Sequence, residues 1–162
     1  MGDSPGAALG RGARLAEVRP MADETYPVLR QVVLDTTDAR SLAEFYRKLL
    51  GYTYQEGDEP PAPGDDDLHG REWLTLEGPG GVALAFQQVE SLRASTWPED
   101  EVPQQLHLDL TVPDREELDA QHARALGLGA TLVLDSSEDP TERLRVYTDP
   151  AGHPFCIFVS TD

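Results

Sequence analysis

The chain repeats itself. Displaced by 76 positions, Gln31 falls on His107, Leu34 on Leu110, Asp38 on Asp114, Leu42 on Leu118, Lys48 on Arg124, Leu50 on Leu126 and Gly51 on Gly127. A fixed-period echo constrains architecture more than any single motif, because each copy must be one supersecondary unit and the copies must share a core. Each copy opens with an apolar run, Val28–Leu34 and Gln105–Val112. An Asp follows, Asp38 or Asp114, of the kind that caps the start of a helix. Asp114 has Glu117 three residues on, a variant of the capping box. Apolar residues then recur at helical spacing. They are Leu42, Phe45, Tyr46, Leu49 and Leu50 in the first copy, and Leu118, His122, Ala125 and Leu126, read as facing inward, in the second. Gly51 and Gly127 are placed to stop the two helices.

Three shorter strands follow each helix. In the first copy they are Tyr52–Gln55, Arg71–Glu77 and Val82–Gln88, the last two joined by the turn sequence Gly78-Pro79-Gly80-Gly81. In the second they are Thr131–Leu134, Leu144–Thr148 and Phe155–Val159. The order βαβββ, twice, predicts an α+β fold: two modules forming a cupped mixed sheet with helices on the outside. A single domain over residues 27–160 is expected, with module 1 at about 28–90, a linker at 91–103 and module 2 at about 104–160. Residues 1–26, rich in Gly, Ala and Arg, read as a flexible leader and lack the apolar core of a signal peptide. The segment 57–70 is a long loop rich in Pro, Gly and Asp, either mobile or a lid over a site. Its acidic triplet, Asp65 to Asp67, lacks the spacing of a calcium loop and reads as a solvated turn.

Composition narrows the partners. A net charge of −17, from 13 basic and 30 acidic residues, argues against nucleic acid and anionic membranes, both of which demand clustered Lys and Arg. No apolar run approaches the roughly 20 residues of a membrane span. The one cysteine, Cys156, excludes an internal disulfide and fits a reducing, cytoplasmic setting.

Three stretches carry a family resemblance: Asp38 through Phe45-Tyr46 to Leu49-Leu50-Gly51, the strand His107-Leu108-Asp109-Leu110, and the ending Asp149-Pro150-Ala151-Gly152-His153-Pro154-Phe155. The chain resembles the vicinal oxygen chelate superfamily of glyoxalases, bleomycin-resistance proteins and dioxygenases, and within it the glyoxalase-like domain proteins. The resemblance covers residues 28–160. It implies two cups forming one cleft, and a metal held by a residue on the first and last strand of each module. Carried over residue by residue, those positions are Gln31, Ala85, His107 and Cys156. Ala cannot ligate, and a thiolate favours softer metals than this family uses. No metal and no other cofactor is therefore expected. A homodimer is expected from the resemblance.

Strand alternation sorts the faces. Val32, Leu34, Val82, Leu84, Phe86, Leu106, Leu108 and Leu110 should face inward or pack on helices, leaving Gln31, Val33, Asp35, Ala83, Ala85, Gln87, His107, Asp109 and Thr111 in the cup. On the remaining strands Trp73, Arg143, Arg145 and Tyr147 are cleft candidates. The expected ligand site is thus Gln31, Trp73, Gln87, His107, Asp109, Arg145 and Tyr147, suited to a small planar molecule bearing oxygen acceptors. Two functions are open. One is a metal-free binding protein. The other is a lyase, isomerase or dioxygenase that keeps a divalent metal on His107 and Gln31, with His107 as its catalytic residue.

Overall fold

The computed structural model describes residues 27–160. The expected leader, residues 1–26, lies outside the described residues. Strand β1 (Gln31–Thr36) leads into helix α1 (Ala39–Leu50), then β2 (Thr53–Tyr54), β3 (Trp73–Glu77) and β4 (Ala83–Gln88). The series restarts with β5 (Leu108–Val112), α2 (Arg115–Leu128), β6 (Thr131–Asp135), β7 (Leu144–Thr148) and β8 (Pro154–Val159). The sheets have matching orders, β1-β4-β3-β2 and β5-β8-β7-β6. In each, the first strand runs parallel to the last and the remaining pairs are antiparallel. The βαβββ order read from the repeat is present twice.

Both helices start on their Asp caps. The Asp38 side chain accepts the Ser41 N–H at 2.9 Å, and Asp114 accepts that of Glu117 at 2.9 Å. Each cap satisfies a backbone donor that has no partner within the helix. Gly51 ends α1 in the left-handed region, at φ 69°, where a side chain would be strained. Helix α2 differs from expectation here. It runs through Gly127 and closes at Gly129, at φ 105°. There the Gly129 and Ala130 N–H groups donate back to the Leu126 and Ala125 carbonyls, each at 3.0 Å. A glycine inside a helix costs only about 1 kcal/mol, so Gly127 alone does not stop it. Of its four inward candidates, Leu118 and Ala125 are buried, His122 is half-buried and Leu126 is 42% exposed. The expected inward face at Leu126 is therefore corrected. The buried stripe of α2 is narrow, and Leu126 lies one step around from Ala125.

Helix α1 buries Leu42, Phe45, Tyr46 and Leu49. Its aromatic pair joins the modules: Tyr46, stacked on Phe86 of β4 at 5.8 Å, meets Phe155 of β8 edge-on at 6.4 Å, and Phe45 meets the same ring edge-on at 5.9 Å. Phe155 in turn stacks on Tyr147 at 5.2 Å. Arg124 donates to the Lys48 carbonyl at 2.7 and 3.1 Å. These two residues are equivalent under the 76-residue repeat, so the modules contact one another close to their local twofold axis.

The 57–70 loop is fastened to α1. Arg40 binds Asp67 at 2.7 Å and the Asp58 carbonyl at 2.7 Å, while Asp58 accepts the Thr75 N–H at 2.8 Å. Asp67, one of the acidic triplet, is thus an ion-pair partner that also accepts the Gly70 N–H at 2.8 Å. Its pairing with Arg40 holds its carboxyl below the usual range.

Candidate functional site

Two open sheet faces carry the expected residues, and their chemistry is built strand by strand. In module 2, β5 and β8 are parallel neighbours with Asp109 beside Cys156. Leu108 and Leu110 pack against the core on the helix side, so Asp109 and Cys156 project together from the opposite face. The Cys156 thiol donates to Asp109 Oδ1 at 2.9 Å. His107, just before β5, places Nε2 3.4 Å from the same oxygen. Burial, reinforced by the Asp109 carboxylate, pushes the Cys156 thiol up to about 12, so it stays protonated at neutral pH. On β7, Val146 pairs with Cys156 and Leu144 with Phe158. These three apolar side chains share the face and form its wall. The result is a cavity of about 320 Å³, with a polar corner at His107, Asp109 and Cys156 and with Trp97 and Gln104 at its border.

The corresponding face of module 1 is more polar. Gln31 pairs with Ala83, and both line a cavity of about 370 Å³ with Arg30, Gln55, Thr75 and Glu77. Trp73, 37% exposed, lies on this same face and donates its indole N–H to Thr75 Oγ1 at 3.1 Å. Ala85 is fully buried. Gln87 lines neither cavity. It borders a third, at the junction of the modules, together with Val33 and Asp35. Within one chain, then, the structure brings His107, Asp109 and Cys156 together, and keeps Gln31 and Gln87 apart from them.

Two expected site residues face the other way. Arg145 is only 6% exposed and points toward α2. It donates to Asp119 at 2.8 Å, to Asp135 at 3.1 Å, to Ser137 Oγ at 3.0 Å and to the Leu118 carbonyl at 3.3 Å. Tyr147 is fully buried on Phe155, and its hydroxyl lies 3.0 Å from His122 Nδ1. Burial pushes that hydroxyl up to about 12. The cause is register: Arg145 pairs with Ile157 and Tyr147 with Phe155, and both partners belong to the core. Arg145 and Tyr147 are therefore corrected from cleft to core. An Arg on a strand suits a cleft, whereas here it neutralises two acids beneath a helix. Arg143 also stays outside the cavity, with its Nε buried and unpartnered. The residues that sequence reasoning missed are Leu144, Val146 and Phe158, which look like core. The available signal was Cys156, whose cup position already assigned Phe155 and Ile157, and hence the odd residues of β7, to the helix side.

The donors of one chain do not fit the metal that the resemblance implies. Ala85 has no donor, Gln31 opens into a different cavity, and the Cys156 thiol is engaged with Asp109. Among the described residues, no group of three or more His, Cys, Asp or Glu could hold a metal ion. No helix among them is long and apolar enough to cross a membrane.

Paired βαβββ modules with open cupped faces define the class: this is a vicinal oxygen chelate fold. The chain belongs to the glyoxalase-like domain family, whose model matches residues 31–158. No curated protein matches it. Among solved structures, a glyoxalase/bleomycin resistance protein/dioxygenase family enzyme from Burkholderia phytofirmans is similar at 19% identity. That match has a TM-score of 0.59 and covers 81% of this chain and 97% of the other. The genomically encoded fosfomycin resistance protein FosX from Listeria monocytogenes is similar at 14% identity, with a TM-score of 0.61 over 85% and 96%. A mutant of that protein, complexed with Mn(II) and 1S,2S-dihydroxypropylphosphonic acid, matches at 15% identity, with a TM-score of 0.59 over 83% and 90%. At such identities the likeness concerns the fold alone.

Proposed function

We propose that the protein binds a small, planar, oxygen-bearing molecule in the module 2 cup, without a metal supplied by its own chain. The observation that carries this reading is the placement of a polar corner at the end of an apolar wall. His107, Asp109 and Cys156 stand beside Leu144, Val146 and Phe158 in one cavity of about 320 Å³. A flat apolar body fits the wall, while a hydroxyl oxygen on it donates to the His107 ring nitrogen that the Asp109 carboxylate leaves unprotonated. Asp109 is fixed by the Cys156 thiol and orients the imidazole. The module 1 residues Gln31 and Trp73, and Gln87 at the junction, belong to the same proposal as the facing half-site. Because they lie outside the His107 cavity, a homodimer that sets one copy's module 1 face over the other's module 2 face completes it. Half-exposed Trp73 and Leu134 suit such a cover. Residues 27–160 as the binding domain, residues 1–26 as a leader and a cytoplasmic setting complete the reading.

The test is an NMR screen of phenols and aryl ketones against the full chain. Binders should shift His107, Asp109 and Val146, and His107→Leu should abolish those shifts. Shifts confined to the 57–70 loop would end the proposal. Light scattering should return twice the chain mass. A monomer that still binds would remove the dimer from the reading.

The metal-dependent alternative has one specific support, the Mn(II) complex of the fosfomycin resistance relative. Elemental analysis of the purified protein should find no stoichiometric metal. A stoichiometric metal that is lost in His107→Ala would replace the binding reading with a lyase, isomerase or dioxygenase.

A further inference from the structure

A cavity of about 310 Å³ lies at the junction of the modules, separated from the His107 cup by Gln104 and Pro154, which border both. Its apolar wall comes from Val33, Leu92 and Leu106. Gln87, Ser95 and Gln105 also line it, and three further polar groups present acceptors, each with a structural reason to be there.

The first is His153. The neighbouring Asp149, 4% exposed, is saturated by four donors. Tyr46 OH and His153 Nδ1 each lie 2.9 Å from Oδ2, and the Ala151 and His153 N–H groups reach Oδ1 at 2.9 and 3.0 Å. A carboxylate so placed fixes the proton of the imidazole on Nδ1, which leaves Nε2 as an acceptor on a side chain that lines the cavity. The second is Gln104, whose Oε1 is buried without a hydrogen-bond partner. An unmatched buried acceptor is a standing cost that a bound donor relieves. The third is Asp35, an exposed carboxylate with no ion-pair partner among the described residues. Arg93, the cation at the rim, is three-quarters exposed and faces Glu101 at 3.9 Å, so solvent screens it from the cavity.

The wall is held in place. Gly152, at φ 95°, sits so close to the linker that a Cβ there would lie 2.3 Å from Ala94 Cβ, and the Ser95 N–H donates to the Gly152 carbonyl at 3.3 Å. The linker is thereby strapped onto the turn that presents His153.

From these three acceptors and the apolar wall we infer that the junction cavity is a second binding site, for a small molecule with an apolar body and a protonated amine head. The ammonium donates to Asp35, Gln104 Oε1 and His153 Nε2. The body rests on Val33, Leu92 and Leu106. The site is independent of the His107 cup and does not need a second copy of the chain.

Benzylamine, benzyl alcohol and benzoate share one body and differ in the head, so they test the donor requirement directly. Each is titrated into the isotope-labelled full chain, following backbone amides and the His153 ring. Benzylamine should give saturable shifts at Asp35, Leu106 and His153. Benzyl alcohol should bind about tenfold more weakly, as a neutral donor does against a carboxylate. Benzoate should not bind. Asp35→Asn, at an exposed position, should bring benzylamine down to the level of benzyl alcohol. Gln104→Leu should weaken both, and His107→Leu should change neither, which separates this site from the one proposed above. The net charge of −17 attracts cations everywhere, so position decides. Shifts spread over the acidic surface and unchanged by Asp35→Asn would overturn the inference. So would benzoate binding as well as benzylamine, or the absence of any saturable shift.

Discussion

The two modules share strand order, helix placement and Asp caps, yet their open faces have little chemistry in common. Where module 2 has Asp109 hydrogen-bonded to Cys156, module 1 pairs Val33 with a buried Ala85. Where module 2 presents His107 above an apolar wall, module 1 presents Gln31 among Gln55, Thr75 and Glu77. The repeat dictates the backbone, because the caps, the helix face and the register are what each unit needs in order to bury its sheet. The open face carries no such demand, and there the copies are free to differ. The same asymmetry reaches the core. Helix α1 buries six residues and α2 only Leu118 and Ala125, so module 2 is the more thinly covered half.

The largest effect expected from this contrast is chemical. With its thiol pushed up to about 12, Cys156 should react with iodoacetamide at pH 8 roughly a thousandfold more slowly than an ordinary thiol near 8.5. The raised value also sets a stability window. The contribution is fully present below the unfolded thiol's pKa and is lost as pH rises from there toward about 12. Asp109→Asn removes a charge that opposes the thiolate, so alkylation should speed up. A rate equal to that of the urea-unfolded chain would show that the pairing with Asp109 does not exist.

A smaller difference is expected between equivalent leucines. Leu34 and Leu110 match under the repeat, but Leu34 is 2% exposed whereas Leu110 is half-buried. Leu34→Ala should cost about 2–5 kcal/mol, the usual range for a buried Leu, and Leu110→Ala about 1–2 kcal/mol. Urea midpoints decide the matter. Equal shifts would mean that α2 covers its sheet as fully as α1 does.

These contrasts mark how far the sequence could be read. The βαβββ order was legible because it rests on local signals: the Asp caps, the 3.6-residue spacing of Leu42 through Leu49, and the Gly-rich turn at 78–81. The α2 stop was misplaced because Gly-Leu-Gly offers two glycines, and only hydrogen bonding selects Gly129. The faces of β1, β4 and β5 followed from simple alternation, but Val82 and Leu106, expected inward, are 41% and 40% exposed because both lie just ahead of the paired strands. The face of β7 did not, because Leu-Arg-Val-Tyr-Thr alternates either way, and its orientation depends on pairing with β8. That pairing moved Arg145 and Tyr147 into the core and put Leu144 and Val146 at the cavity. The separation of Gln31 from His107 is a matter of how modules pack, which no strand pattern encodes.

The smallest effect expected is a difference in how each module holds one carboxylate low. In module 1 the Arg47 side chain, followed by Tyr54, lowers Glu44 to about 2 against the opposing effect of burial. In module 2 the Ser137 side chain and backbone N–H, with Arg145, lower Asp135 to about 2. A depressed carboxyl contributes stability above its unfolded value of about 4 and loses it as pH falls toward about 2. Both modules should therefore weaken in that window, each by less than about 1 kcal/mol, since both groups are partly solvated. Salt separates them. The Glu44 contribution rests first on an ion pair and should be screened, while that of Asp135 rests first on Ser137 and should persist. Urea midpoints between pH 2 and 5 for Arg47→Gln and Ser137→Ala, at low and high salt, read this directly. In Ser137→Ala, where Glu44 still carries the loss, high salt should abolish it, whereas in Arg47→Gln, where Asp135 carries it, the loss should persist. If high salt abolished both, Asp135 would be held mainly by Arg145, and the two modules would use the same device after all.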